Sequence, residues 1–428
     1  MTQIIASNYL NFTQQAMFDN LSLDLKIKYQ FVTELDYNAI KDPSWPLYED
    51  FVNHQAVSQL VYKDIDQMLS DQKSFDHPSF CVLPWHGREI QWNQHETHCC
   101  LLPNKYDIEK IKTDMKNGIR SRECQKCWNL EDQGLVSDRN LKNAALDFYS
   151  NVDIHKIMDQ ANDQVKMLKL ITSYTCNGAC VTCDSDSSSY WNTIERRIDK
   201  TIPIKKYSFI DTELIKSKID FSQLHTLSLI GGEPLLEKNN FKILKELIDT
   251  KNTDIFISIV TNGSMSLTQD QQDLLSQFPN LNFCVSIDGK KSVFDYLRWP
   301  LLWSNTETNL KQYRSITNNI SVSYTITNLN IMYHRDTTEW FKENNIPWIN
   351  NPVYEPDYFS PKNLPTTAKH KLQDYLTKSE FDSFIGDPDA DPGKSWQEFL
   401  QQIHLQDTAK NIKIQDYLPE FCQLVGLT

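Results

Sequence analysis

The sequence predicts an α/β fold: a partial (β/α)6 barrel of the TIM type, preceded by a cysteine-rich domain and flanked by helical extensions. From about residue 165 onward, apolar runs alternate with helical patterns, which is typical of a parallel sheet. In the fourth run, apolar Phe283 and Val285 alternate with Cys284 and Ser286. One polar face per strand favours a curled sheet that lines a cavity over a doubly wound sheet, whose strands are apolar on both faces. The six predicted strands are Val165–Ile171, Leu224–Ile230, Asp254–Val260, Asn282–Ile287, Ser321–Thr327 and Ile346–Ile349.

The length of the chain, 428 residues, exceeds the usual size of one hydrophobic core and predicts several regions. We expect a helical extension over residues 1–75, with helices within Tyr48–Leu69, and a cysteine-rich domain over 76–145. The barrel should cover 160–352. Residues 353–428 begin with a proline-rich loop and continue as amphipathic helices near Thr367–Thr377 and Ser395–Ala409, which predicts a helical cap.

Composition narrows the classes of function. The formal net charge of −13 argues against a general nucleic-acid binder, which needs a basic surface. No run of eighteen apolar residues and no signal-like start is present, so the sequence predicts a cytoplasmic protein without a membrane span. In a reducing compartment, ten clustered cysteines indicate metal binding rather than disulfides.

The densest cysteine cluster follows the first predicted strand. Cys176, Cys180 and Cys183 are spaced C-x3-C-x2-C in the stretch Thr175–Cys183, which we call the cysteine loop. Three thiolates on one loop suit a cubane [4Fe–4S] cluster and leave its fourth iron without a protein ligand, so that a small molecule can bind there. The alternative is a loop with three structural cysteines.

A second cysteine group precedes the barrel. Its closing C-x2-C pair is a usual metal knuckle, and four thiolates can be drawn from the group if one of the adjacent Cys99 and Cys100 takes part. With every ligand supplied by protein, the site would be closed. Zinc competes with iron–sulfur here, because four-cysteine zinc sites are common. The members are Cys81, Cys99, Cys100, Cys124 and Cys127.

Polar and glycine residues follow the next strands. Gly231-Gly232-Glu233-Pro234, which we call the glycine loop, ends the second strand, and its glycines permit close backbone approach while Glu233 offers an acceptor for an amine. Asn262 lies at the end of the third strand, and Ser286 and Asp288 lie at the end of the fourth. Ligands bind at the carboxyl ends of parallel strands, although Asn262 could equally serve a helix-entry turn.

Together, the cysteine loop, the glycine loop and the pair Ser286 and Asp288 resemble the radical S-adenosylmethionine superfamily. The segment from Cys81 to about Arg139 resembles the twitch type of auxiliary-cluster domain, which is related to SPASM domains. Further stretches resemble a group of twitch-domain proteins, namely Ser187–Trp191 and Leu297–Pro300. Three features depart from the family pattern. Thr182 stands where an aromatic residue usually covers the adenine, the auxiliary segment precedes the barrel, and the usual glycine before the second auxiliary ligand is absent.

The resemblance implies the first half of a mechanism. The three cysteines of the cysteine loop would hold the cluster, and its open iron would bind S-adenosylmethionine. Reductive cleavage would give methionine and a 5′-deoxyadenosyl radical that abstracts a hydrogen. The glycine loop (Gly231, Gly232, Glu233 and Pro234) would fix the methionyl amine, while Ser286 and Asp288 would bind the ribose.

The resemblance also implies a second, auxiliary [4Fe–4S] cluster and an external one-electron reductant of the flavodoxin or ferredoxin type. We expect a peptide or small polar molecule to be modified or oxidised. Two alternatives remain: a radical enzyme acting on nucleic acid, nucleotides or sugars, and a non-catalytic binding protein with a structural four-cysteine zinc site.

Overall fold

An open, eight-stranded α/β sheet organises the protein. The computed structural model describes residues 3–6, 29–32, 77–132, 137–140, 142–143, 154–159, 163–205, 209–353 and 355–427. In the large sheet the strand order is β10-β9-β8-β7-β6-β5-β3-β4, and every neighbouring pair is parallel except β3 with β4. The strands of the described residues are β1 (Gln3–Ala6), β2 (Tyr29–Val32), β3 (Gly87–Gln91), β4 (Glu96–Thr97), β5 (Met167–Ile171), β6 (Thr226–Ile230), β7 (Phe256–Thr261), β8 (Leu281–Ser286), β9 (Ile320–Ile326) and β10 (Trp348–Pro352).

The prediction of a partial (β/α)6 barrel is confirmed. All six predicted strands form, as β5 to β10, and each lies beside the next in chain order. Because right-handed crossovers between sequential parallel strands all pass on one side, this order leaves the other face of the sheet uncovered by the connecting helices. The boundaries shift by up to three residues; the last strand, expected at Ile346–Ile349, runs from Trp348 to Pro352.

Helices fill the connections and the carboxyl-terminal part. Those of the described residues are α1 (Leu83–His86), α2 (Ile108–Lys116), α3 (Gln125–Glu131), α4 (Ile154–Met158), α5 (Ser189–Ile198), α6 (Thr212–Lys218), α7 (Lys238–Asp249), α8 (Gln269–Leu275), α9 (Ser292–Leu297), α10 (Trp303–Ile316), α11 (His334–Glu343), α12 (Thr366–Leu372), α13 (Lys378–Phe384), α14 (Lys394–Lys410), α15 (Ile414–Tyr417) and α16 (Pro419–Val425). None of them is long and apolar enough to cross a membrane.

The main core lies between the sheet and its helices. Strand residues such as Leu227, Ile257, Phe283 and Val322 are completely buried there against α7, α10 and their neighbours. On the opposite face, alternate residues are polar and often half-exposed, as the period of two requires. This face forms a polar row across the sheet: Ser228, Ser258, Asn282, Cys284, Ser286, Ser321, Ser323 and Thr325.

The cysteine-rich segment contributes two strands to the barrel sheet, which the sequence did not indicate. Strand β3 pairs with β5 along its whole length, and Glu89 and Lys169 face each other in register and form an ion pair of 2.9 Å. Gly87 at the start of β3 has no room for a side chain, because a Cβ atom would lie 2.7 Å from the carbonyl oxygen of His98. The second cysteine group is therefore attached directly to the barrel.

The structure describes the two terminal regions of the chain to different extents. The helices expected within Tyr48–Leu69 lie outside the described residues, and of residues 1–75 the structure describes the backbone of the parallel pair β1 and β2. The carboxyl-terminal region is helical, and the predicted Ser395–Ala409 helix is α14. Side chains of α14 contact the barrel at the cysteine loop.

Candidate functional site

The cysteine loop leaves β5 at the carboxyl end of the sheet, and the segment after it holds its first half. Ser188 caps helix α5 and also donates its hydroxyl to the carbonyl oxygen of Gly178 at 2.6 Å. Ser189 accepts from the backbone N–H of Cys176 at 3.1 Å. One short serine run thus starts a helix and fixes the loop that carries Cys176.

The second half of the loop is held from two other directions. The backbone N–H groups of Ala179 and Val181 donate to the carbonyl oxygens of Trp299 and Leu297, at 2.7 and 2.8 Å. The indole N–H of Trp191 donates to the carbonyl oxygen of Cys180 at 2.8 Å. Groups outside the loop therefore fix most of its backbone, and the thiol of Cys176 adds one contact by accepting from the backbone N–H of Gly178 at 3.4 Å.

The three thiols of the cysteine loop interact with one another. Cys183 donates a hydrogen bond to Cys180 and lowers the pKa of that thiol to about 7, whereas burial raises the pKa of Cys176 to about 11. Among the described residues, no three His, Cys, Asp or Glu side chains surround a point where a single ion would fit. A cubane cluster makes a different demand, since each thiolate binds its own iron, and three neighbouring thiols on one rigid loop fit that donor set.

The glycine loop lies directly against the cysteine loop. The backbone N–H groups of Gly232 and Glu233 donate to the carbonyl oxygens of Ser173 and Thr175, at 3.1 and 2.8 Å. A Cβ atom on Gly231 would lie 2.4 Å from the oxygen of Ser173, and one on Gly232 would lie 2.3 Å from the oxygen of Thr175. Both glycines are thus required by this close backbone contact.

Glu233 is buried at the centre of these loops, with 1% of its surface exposed. Its Oε1 atom accepts from the backbone N–H of Leu235 and the hydroxyl of Thr261, each at 2.9 Å, and its Oε2 atom accepts from the backbone N–H of Asn262 at 2.7 Å. Burial nevertheless raises the pKa of its carboxyl to about 7. A carboxylate has about four acceptor positions, so one on Oε2 is still available.

Asn262 and Pro234 lie with the loops as well. The amide of Asn262 donates to Oδ1 of Asn177 in the cysteine loop at 2.9 Å, and it lies 3.8 Å from Sγ of Cys176. The carbonyl oxygen of Pro234 accepts from the side chain of Asn240, which fastens the glycine loop to helix α7. Asn262 therefore does more than shape a turn, because it joins the third strand end to the first.

Ser286 is the last residue of β8 and Asp288 follows the strand, where its carboxylate is bound by other groups of the protein. Its Oδ2 atom forms an ion pair of 2.8 Å with Nη2 of Arg298, and its Oδ1 atom accepts from the backbone N–H of Thr325 at 3.0 Å. Ser286 is half-buried in the polar row. Arg298 also lies near enough to Cys180 and Cys183 to lower the pKa of both thiols.

The second cysteine group divides between two neighbouring cavities. One cavity is largely apolar, and four of the five cysteines line it: Cys81, Cys99, Cys124 and Cys127. Cys100 lines the other cavity together with Lys169, Glu89 and Asp138, and Cys99 borders this second cavity as well. Burial raises the pKa of the Cys81 and Cys124 thiols, as expected in an apolar pocket. Cys99 thus lies in one cavity with Cys81, Cys124 and Cys127, whereas Cys100 lines only the other cavity of the two.

Several residues that contact the cysteine loop were missed as site residues. The Ser187–Trp191 and Leu297–Pro300 stretches stood out in the sequence, yet nothing there indicated that they hold this loop. Gln406 and Lys410 of α14 gave no signal, although Gln406 donates to the carbonyl oxygen of Val181 across 225 positions of sequence. Local sequence patterns cannot predict contacts between residues so far apart in the chain.

No family model and no curated protein matches the chain. Among solved structures, anSMEcpe with bound AdoMet is 21% identical over 51% of this chain and 63% of its own, with a TM-score of 0.37. The same protein with bound AdoMet and Cp18Cys peptide is 20% identical over 44% of this chain and 52% of its own, with a TM-score of 0.33. Streptococcus suis SuiB bound to the precursor peptide SuiA is 13% identical over 64% of this chain and 60% of its own, with a TM-score of 0.31. This chain therefore spans less than two thirds of each.

Proposed function

We propose that this protein is a radical S-adenosylmethionine enzyme of the twitch-domain group. One observation carries the proposal: the glycine loop is bonded through its backbone to the cysteine loop, at the carboxyl ends of adjacent parallel strands. The motif that suits a cluster with an open iron and the motif that can bind an amine thus form one surface. This surface lies at the strand ends, where ligands bind in such folds. A structural cysteine loop would not require two glycines pressed against it.

Cys176, Cys180 and Cys183 would hold the [4Fe–4S] cluster. When bound, the cluster supplies the electron that cleaves S-adenosylmethionine and begins radical chemistry. The free acceptor position on Oε2 of Glu233 would take the methionyl amine, and Asn262 would keep the Cys176 end of the loop in register. Ser286 and Asp288 would bind the ribose hydroxyls, since each Asp288 oxygen retains a second acceptor position.

The adenine needs an apolar cover, which Thr182 does not supply. The ring centroids of Tyr190 and Trp299 lie 5.8 Å apart, and both rings pack, like Cys183, on the small cluster around Trp191. We assign the cover to this pair. The departure at Thr182 is then compensated by aromatic side chains from α5 and from the segment after α9.

The four thiols of Cys81, Cys99, Cys124 and Cys127 would hold an auxiliary [4Fe–4S] cluster. Because the protein would supply all four ligands in this apolar cavity, the site suits a cluster that passes or accepts electrons. Zinc fits the same donor set, and metal analysis separates the two. An external flavodoxin- or ferredoxin-type reductant in the cytoplasm would supply the first electron.

The substrate would be a peptide or a small polar molecule. The face of the sheet that the helices leave uncovered is lined by hydroxyl and amide side chains, among them Ser323 and Asn351, which are hydrogen-bonded at 2.9 Å. Such a row can pair with the amide groups of an extended chain. The net charge of −13 favours this class over nucleic acid.

The proposal is tested on protein reconstituted anaerobically with iron and sulfide. We expect about eight irons per chain and, after reduction, release of 5′-deoxyadenosine from S-adenosylmethionine. Cys176→Ala should lose about four irons and all of the release, whereas Cys422→Ala, which changes a buried cysteine of the carboxyl-terminal helices, should keep both. The proposal would be contradicted by a wild-type protein that is loaded with iron and reduced but releases no 5′-deoxyadenosine from S-adenosylmethionine.

A further inference from the structure

Lys410 is a buried cation that the proposed chemistry does not use. It ends helix α14, is 4% exposed, and its Nζ atom lies 4.5 Å from the centroid of the Trp191 ring. Its hydrogen-bond acceptor is the amide oxygen of Gln406 at 2.9 Å. Among the described residues, no carboxylate oxygen lies within 4.0 Å of Nζ.

An ammonium in such a place is costly. Removing a charge from water without an opposite charge is among the most unfavourable steps in folding, and a ring face and one amide compensate for part of it. Burial accordingly lowers the pKa of Lys410 to about 8, while Cys180, Asp407 and Cys183 act in the opposite direction. The groups that favour the charged form of Lys410 are therefore Asp407 and two thiols of the cysteine loop.

Lys410 also reaches the loop through its neighbours. Gln406, which accepts from Lys410, donates to the carbonyl oxygen of Val181 at 3.0 Å. Trp191, whose ring lies beside the ammonium, donates to the carbonyl oxygen of Cys180. One helical turn of α14 thus contacts the segment that carries Cys180 and Cys183.

Arg298 is a second buried cation beside the same thiols. Its side chain is 10% exposed, and although Nη2 pairs with Asp288, its Nε–H group is buried and has no hydrogen-bond partner. An unpaired donor on a charged, buried group indicates a missing acceptor. Arg298 and Lys410 approach the cysteine loop from two different places, the residue that follows α9 and the last residue of α14.

We propose that Lys410 and Arg298 are two buried cations that compensate the negative charge of the cluster and raise its reduction potential. This inference rests on the proposed function and deepens it. Three thiolates and the added electron make the reduced cluster the more anionic state, so a nearby buried cation stabilises it preferentially. Since Asp288 already offsets the charge of Arg298, Lys410 provides the larger effect. The carboxyl-terminal helix thereby becomes part of the site.

The test compares Lys410→Met, Lys410→Arg and, as the matched control, Lys394→Met at the exposed first residue of the same helix. The reduction potential is measured by a redox titration followed by electron paramagnetic resonance, with the signal identified by its loss in Cys176→Ala. In Lys410→Met we expect the equilibrium constant for reduction to fall about tenfold, which is about 59 mV for one electron. Lys410→Arg and Lys394→Met should stay near the wild-type potential.

A Lys410→Met protein with the wild-type iron content and an unchanged potential would overturn this inference and leave the proposed function intact. A wild-type protein that binds no cluster would instead overturn the proposed function.

If Lys410→Met does not load iron, thermal melting of the iron-free proteins decides. We expect iron-free Lys410→Met to melt above the iron-free wild type, because the uncompensated ammonium has been removed. Equal or lower melting would overturn the inference.

Discussion

Glu233 accepts hydrogen bonds from the strand end of β7 and from its own loop, so one buried carboxylate braces the surface where the two loops meet. Its type and position were predictable from the Gly-Gly-Glu-Pro motif. Its partners were not, because they depend on which strands are neighbours in the sheet. The same holds for Asp288, whose ion pair with Arg298 links two segments that the sequence marked separately.

Burial of Glu233 predicts a pH dependence of stability. Its pKa is raised from its usual value to about 7, so the folded protein holds a proton that the unfolded chain has already released. Its contribution to the free energy of unfolding is therefore fully present below the unfolded pKa and is lost as the pH rises through about 7.

Denaturant unfolding of iron-free protein at about pH 5 and about pH 8 measures this effect. Glu233→Gln cannot titrate, so the stability of the wild type relative to this variant should be greater at the lower pH. The variant also loses an acceptor for the N–H of Asn262, which costs about 1–3 kcal/mol at either pH. A difference that is the same at both pH values would contradict the burial of an ionising group.

The adjacent Cys99 and Cys100 give a matched pair of variants. The sequence left open which of them completes the four-thiol set. Cys99 lines the cavity that also holds Cys81, Cys124 and Cys127, and Cys100 does not. We expect Cys99→Ser to lose about four irons per chain and Cys100→Ser to keep them, as measured by iron and zinc analysis after reconstitution. The reverse order of loss would mean that the pair is rearranged when metal binds.

Among the secondary-structure elements, the strands of the barrel could be predicted from the sequence. Which strands lie side by side could be predicted only in part. Apolar runs with a polar alternate face predicted β5 to β10 in the observed order. Strand β3 was missed because Gly87–Gln91 contains two charged residues in five and has no apolar alternation. It is a strand because Glu89 meets Lys169 of β5 in register, a cross-strand pair that no local pattern contains.

Helix α14 is the element whose role changes most. The sequence predicted part of a helical cap, and the structure has it packed on α5, with Gln406 bonded to the cysteine loop. Gln406→Ala leaves the carbonyl oxygen of Val181 without a donor in a buried position. We expect the free energy of unfolding to fall by about 1–3 kcal/mol, as measured with denaturant.

Gln401→Ala is the control for Gln406→Ala, since Gln401 is exposed on the same helix and its change should cost less than about 0.5 kcal/mol. Equal effects at both positions would show that the helix and not the hydrogen bond is responsible.

For the whole molecule, one sheet joins three regions that the sequence separated. The second cysteine group lies at the β3 side of the sheet, the cysteine loop follows β5, and α14 returns from the carboxyl-terminal region to hold it. Fold class and motif residues followed from local spacing and periodicity. The cavity shared by Cys81, Cys99, Cys124 and Cys127 and the burial of Arg298 and Lys410 did not, because both arise from contacts between distant segments.

The central claim is that the cluster of the cysteine loop has an open iron that binds S-adenosylmethionine beside the glycine loop. Electron paramagnetic resonance of the reduced, iron-loaded protein, recorded with and without S-adenosylmethionine, tests it most directly. We predict that S-adenosylmethionine changes the signal that is absent from Cys176→Ala and leaves the remaining signal unaltered. A Cys176-dependent signal that is identical with and without saturating S-adenosylmethionine would contradict the account.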